Sequence, residues 1–151
     1  MKSSNFDDQN QAQLRINDIT RTSPKRTIFS IGHSTVSLEV FAERLLTYKI
    51  DRVIDVRTKP YSRWCPQFNK DQLEYMLACI DINYDWRGNQ LGGLAPNIGY
   101  DRTIKWVFDR AEYENIVLMC SEGNYRKCHR FTMLTPSFED LGAEVVHIGY
   151  K

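Results

Sequence analysis

Hydrophobic and polar positions change their rhythm near residue 26 of this chain. Residues 1–25 are rich in Ser, Asn, Asp, Gln and Arg, without a sustained period. They predict a flexible polar arm, with one short helical turn around Leu14 and Ile16 or a segment that orders on a partner. From Thr27 the pattern turns regular. Thr27–Ile31 is β-rich and ends at Gly32, the first strand. Leu38, Phe41, Leu45 and Leu46 fall on one helical face, with Ser37 placed to cap its start. Arg52–Val56 reads as strand 2, and a loop with Pro60, Tyr61, Trp64 and Pro66 follows. Helix 2 begins at Asn69 with the stripe Leu73, Met76, Leu77 and Ile80. Ile82, Tyr84 and Trp86 alternate with polar residues as strand 3, and a Gly-rich loop runs from Arg87 to Gly99. Ile104, Val107, Phe108 and Ala111 stripe helix 3, and Ile116–Met119 is the apolar run of a central strand. Phe131, Leu134, Phe138 and Leu141 mark helix 4, Gly142 ends it, and Glu144–Ile148 is the last strand.

The order βαβαβαβαβ predicts an α/β fold, a single Rossmann-like three-layer domain over residues 26–151 with a mostly parallel five-stranded sheet. Pro136 lies inside the fourth stripe and removes a helix hydrogen bond, so a kink or break is expected at residues 132–135. Ligands of such sheets sit at the strand C-terminal ends, which assigns the loops after Ile31, Val56, Trp86 and Met119 to one rim.

Composition narrows the function classes. The 151 residues are 42% hydrophobic and 26% charged, which suits one globular domain. Twenty basic against nineteen acidic residues leave a net charge of +1, so bulk charge points to no polyanion. No run of eighteen apolar residues occurs, so no membrane partner is expected. The polar N-terminus lacks a signal-like apolar core, and a cytoplasmic setting is expected. Cys65, Cys79, Cys120 and Cys128 then read as reduced thiols, and their spacing contains no C-x-x-C pair for zinc. No metal and no cofactor is expected.

The rim is where charge concentrates. Its four loops carry Arg57, Lys59, Arg63, Arg87, Arg126, Lys127 and Arg130, a set suited to phosphate or carboxylate. Arg57, Arg63 and Arg130 are the expected anion holders, and Gly92 and Gly93 the glycines that let backbone approach a ligand. Glu122, His33 and His129 are the acid–base candidates, and Cys120 a nucleophile or a structural loop residue. A competing reading pairs the arginines with Asp55, Asp85 and Glu122 on a solvated rim. Tyr61, Trp64, Phe68 and Trp86 offer stacking faces beside the cations, which extends the expected partner from a small anionic ligand or nucleotide to nucleic acid. Metal binding by Cys120, Cys128, His129 and His33 competes with Cys128 as a core thiol at a helix start, which is the preferred reading.

The ordered pieces Ile31-Gly32-His33-Ser34, Val53-Ile54-Asp55-Val56-Arg57, Pro60, Arg63, Pro66-Gln67-Phe68-Asn69 and Leu91-Gly92-Gly93 carry a resemblance. Leu118-Met119-Cys120 with Glu122, Cys128-His129-Arg130 and Val145-Val146-His147-Ile148 complete it. Together they make the chain resemble the domain of unknown function 488 family, which implies an α/β domain and leaves its activity open. Against that family the loop after Gly93 is short, and Pro136 interrupts a usually continuous helix. The segment Cys120 to Arg126 also satisfies C-x-x-G-x-x-R and is similar to the anion-cradling loop of cysteine phosphatases and to the rhodanese active loop. Met119 and Glu122 depart from that pattern. The expected function is an enzyme or binder of a phosphate- or nucleotide-like anion. The alternatives are sulfur transfer or phosphatase-like chemistry at Cys120, and a non-catalytic nucleotide-binding module.

Overall fold

Five strands form one fully parallel sheet in a computed structural model that describes residues 26–94 and 96–151. The expected N-terminal arm and its helical turn lie outside the described residues. β1 (Arg26–Gly32) leads to α1 (Leu38–Thr47), then β2 (Arg52–Asp55), a 3₁₀ turn (Pro66–Phe68), α2 (Lys70–Cys79) and β3 (Asn83–Trp86). A short α3 (Gly88–Leu91) precedes α4 (Tyr100–Arg110) and β4 (Ile116–Cys120). A 3₁₀ turn (Tyr125–Lys127), a π-helical turn (Arg130–Leu134), α5 (Thr135–Asp140) and β5 (Ala143–Ile148) complete the order.

Local chemistry accounts for most boundaries. Ser37 Oγ accepts the Val40 N–H at 3.1 Å and starts α1. Gly142 follows α5 with φ of +99°, a conformation that suits glycine. The expected break falls where Pro136 forces it. The backbone widens into a π turn in which the Thr135 N–H reaches Arg130 O, and Pro136 then sits in the first turn of α5, where its missing N–H costs nothing. Two expectations needed correction. The loop from Arg87 to Gly99 contains α3. Leu46 is 54% exposed, and Phe131 and Leu141 are also exposed, so the first and fourth stripes are narrower than their periodicity suggested.

Alternate residues of each strand feed two apolar layers. Val53, Val117 and Met119 pack on Phe41 and Leu45 of α1 and on Leu73 and Leu77 of α2. Ile54, Ile116 and Leu118 pack on Ile104 and Val107 of α4 and on Phe138 of α5. All five residues of β4 are buried, as its central place requires.

The strand order is β3-β2-β4-β1-β5. It differs from the dinucleotide-binding order 3-2-1-4-5-6 by the insertion of β4 between β2 and β1. That insertion builds the rim. The loop leaving Cys120 is flanked on one side by the His33 loop and on the other by the Arg57 loop. Pairing continues past the strands: His33 N–H reaches Cys120 O, Ser34 N–H reaches Ser121 O, and Val56 N–H reaches Met119 O, each at 2.9 Å. A Cβ on Gly32 would lie 1.8 Å from Glu122 O, so only glycine lets the β4 loop cross β1 this closely. No helix among the described residues is long and apolar enough to cross a membrane.

Candidate functional site

Two arginines are buried beneath the rim. Arg57 closes a fork on Asp55 two residues earlier: Nε donates to Oδ1 at 2.9 Å and Nη2 to Oδ2 at 2.8 Å, and the Arg57 backbone N–H adds 3.1 Å. Tyr84 O–H donates to the same carboxylate from β3. Asp55 is wholly buried, and Tyr84 is held in its neutral form by burial and by the Asp55 charge. Burial opposes the Arg57 charge, but the Asp55 bonds outweigh it and raise its pKa. Arg57 Nη1 is left to face His33 Nε2 at 3.4 Å. The His33 ring stacks on Phe68 at 4.3 Å and bonds Ser34 O through Nδ1 at 2.7 Å. Burial lowers its pKa to about 4 against the Ser34 bond, so His33 is neutral at pH 7.

Arg130 is 1% exposed and has a different kind of surrounding. Nη1 donates to Ser30 Oγ at 2.9 Å, Nη2 to Glu122 O at 2.7 Å, and Nε to Cys120 Sγ at 3.0 Å. Cys120 Sγ lies 2.8 Å from Cys128 Sγ. Cys128 Sγ also takes the Arg130 backbone N–H at 3.4 Å and faces His129 Nδ1 at 3.6 Å. His129 Nε2 meets Leu91 O at 3.0 Å. A carbonyl only accepts, so Nε2 carries a proton, and Nδ1 is the ring nitrogen turned to the sulfur. The contact with Cys120 pulls the Cys128 pKa well below the usual thiol range, against burial. The same contact, then burial, pushes Cys120 up, and the Arg130 charge only partly offsets them.

Above these groups two cavities meet. One, of about 380 Å³, is bordered by Cys120, Cys128, His129, Lys127 and Gly93. The other, of about 480 Å³, is bordered by His33, Tyr61, Trp64 and Cys65. Arg57, Lys59, Ser121 and Glu122 border both and form the junction. Lys59 and Lys127 are exposed, and no carboxylate pairs with either among the described residues. Trp64 stands 84% exposed at the edge of the larger cavity.

The residues singled out from the sequence thus divide. His33, Arg57, Cys120, Glu122, His129 and Gly93 come together around the two cavities. Arg130 lies beneath them, 1% exposed, with each of its three guanidinium nitrogens bonded inside the protein. Arg57, with Nε and Nη2 on Asp55 and Nη1 3.4 Å from His33 Nε2, borders both cavities. Arg63 is exposed, rests 5.8 Å from the Trp64 ring and borders neither cavity. Arg126 lies on the Tyr125 ring at 5.3 Å, and Glu122 Oε1 accepts the Asn124 N–H at 2.9 Å. The loop that fits C-x-x-G-x-x-R therefore turns its arginine out and fills one of its own amides. Gly92 and Gly93 serve packing: added Cβ atoms would lie 2.1 Å from Thr58 Oγ1 and 3.2 Å from His129 Nδ1. Among the described residues, no group of three or more His, Cys, Asp or Glu side chains is arranged to hold a metal.

Sequence reasoning missed Cys128 as a partner of Cys120, having read it as a core thiol. It counted Lys59 and Lys127 among the rim cations but named Arg57, Arg63 and Arg130 as the anion holders. The adjacency of Cys128, His129 and Arg130 was the available signal.

Residues 37–98 match the family model described as Domain of unknown function DUF488. No curated protein and no solved structure matches the chain.

Proposed function

We propose, from the premise that residues 37–98 resemble the DUF488 family, that the joined cavities bind a small phosphate-bearing anion of the nucleotide class. The observation that carries the reading is two exposed lysines with no carboxylate partner among the described residues, Lys59 beside Arg57 in the lining shared by the two hollows and Lys127 in the lining of the smaller one. A desolvated, oriented guanidinium with mobile ammonium groups beside it recognises phosphate by charge and by hydrogen bonds. Trp64 and Tyr61, both exposed at the far end, offer faces on which a base stacks. Glu122 opposes the cations and favours a ligand whose charge is spread, with a donor group to meet that carboxylate. His33 holds Arg57 from the side and contributes as a positioning group, since it stays neutral.

The test is a titration of the full chain with inorganic phosphate, nucleoside monophosphates and a short oligonucleotide, read by calorimetry and by tryptophan fluorescence. The expected result is nucleotide binding stronger than phosphate, with the fluorescence change lost in Trp64→Phe. Lys59→Gln and Lys127→Gln should each weaken binding by about tenfold, the scale of one charge-assisted contact. Affinity unchanged in both lysine variants, or no binding of any of the three probes, contradicts the reading. Tighter binding of the oligonucleotide than of its monomer would move the ligand class to single-stranded nucleic acid.

A further inference from the structure

A buried cation with no carboxylate beside it needs another source of negative charge. Arg130 is 1% exposed, and among the described residues its guanidinium partners are a hydroxyl, a carbonyl and the Cys120 sulfur. Of these only the sulfur can carry charge, and it shares its proton line with Cys128 Sγ at 2.8 Å. Two thiols holding one proton between them balance the arginine, and two neutral thiols do not. The permanent charges around this pair are mostly positive. Arg130 lies beneath it and His129 beside Cys128. Across the cavity stand Arg57, Lys59 and Lys127, with Glu122 the one acid. Both sulfurs border the smaller cavity, Cys128 at 7% exposure and Cys120 at 4%.

We propose that Cys120 and Cys128 form a redox-active dithiol that reduces a hydroperoxide, with Cys128 the attacking sulfur, Cys120 the resolving sulfur and Arg130 the positioning cation. The proposal goes beyond the anion-binding reading and does not depend on it. A thiolate at the floor of an open cavity is a nucleophile, and a hydroperoxide is small enough to reach it. Cys128 attacks one peroxide oxygen, an S–O bond forms and the O–O bond breaks. The departing oxygen takes the proton shared by the two sulfurs and leaves as water, or as an alcohol from an organic peroxide. Cys128 is then a sulfenic acid. Cys120, now the thiolate, attacks that sulfur; the S–S bond forms, the S–O bond breaks, and hydroxide leaves and is protonated by solvent. Two electrons pass from the sulfurs to the peroxide oxygens. An external thiol restores the pair by exchange through a mixed disulfide.

Cys79, exposed, and Cys65, buried, are internal controls. The experiment treats the reduced full chain with one equivalent of hydrogen peroxide at pH 6 and maps its thiols by mass spectrometry. An ordinary thiol is ionised by less than about 1% there. The expected product is a Cys120–Cys128 disulfide formed at least about tenfold faster than Cys79 is oxidised, and reversed by dithiothreitol. In Cys120→Ser the sulfenic acid stays on Cys128 and is trapped by dimedone, whereas Cys128→Ser loses the fast reaction. Arg130→Gln, checked for folding by its melting curve, moves the pH midpoint of oxidation toward the ordinary thiol value of about 8.5. A simple packing role for Arg130 would leave that midpoint in place. Oxidation no faster than at Cys79, or no trapped sulfenic acid in Cys120→Ser, overturns the proposal. Faster oxidation by a small organic disulfide than by peroxide overturns the choice of oxidant. Loss of peroxide reactivity without loss of nucleotide binding, or the reverse, separates this proposal from the previous one.

Discussion

Arg57 and Arg130 are both buried under the same rim, yet their charges are met in different ways. Arg57 has a carboxylate counter-ion in Asp55, itself bonded by Tyr84. Arg130 has a titratable one, a proton shared between two sulfurs. The first arrangement is rigid and resists change, because neither partner can lose its charge cheaply in the fold. The second can add a proton or give up electrons, so it is adjustable. The comparison teaches that burial of an arginine says little about its role until the chemistry of its counter-charge is known.

The largest effect should come from breaking the rigid pair. Asp55→Asn leaves Arg57 buried with no opposite charge, and a stability loss of about 3 to 5 kcal/mol is expected in denaturant melts. A loss below about 1 kcal/mol would show that Arg57 finds other compensation. Arg130→Met should cost less, about 2 kcal/mol, because the sulfur pair can take up a proton and the bonds lost, to Ser30, Glu122 O and Cys120, strand no buried carboxylate. If Arg130→Met matched the cost of Asp55→Asn, the two sites would not differ as described.

Smaller, and more specific, is the dependence of stability on pH. Cys128 has a folded pKa below its unfolded value. The unfolded chain therefore binds more protons between the two values, and stability rises with pH up to the ordinary thiol pKa. It is lost as pH falls toward the folded value. His33 and His147, both held at about 4 chiefly by burial, act in the same direction, but only below their unfolded value of 6.5. The window from pH 6.5 to 8.5 therefore isolates the thiol, and a rise of roughly 2 kcal/mol is expected there. Cys128→Ser should flatten it. Above that window the raised pKa of Cys120 reverses the trend.

Much of the scaffold was legible in the sequence because it follows from local rules. Strand and helix periods, the Ser37 cap and the interruption forced by Pro136 need only neighbours within a few residues. The stripes failed at Leu46, Phe131 and Leu141, where a helix face is wider in sequence than the layer it meets in space. At the site, the rim was legible from the alternation of strands and helices. The partners within it were not. Asp55 and Arg57 sit two residues apart, a spacing that pairs only because the chain leaves β2 between them. Cys120 and Cys128 are joined by a loop whose course depends on Gly32 giving way to Glu122 O. Such contacts are set by backbone paths that no period in the chain encodes.

The central claim is that a thiolate, not a carboxylate, balances Arg130. The ultraviolet absorbance of thiolate, followed from pH 5 to pH 10 on the reduced chain, tests it most directly. The account predicts one thiolate per molecule already present at pH 6, absent in Cys128→Ser. Absorbance that rises only in the ordinary thiol range, and equally in both proteins, would contradict it.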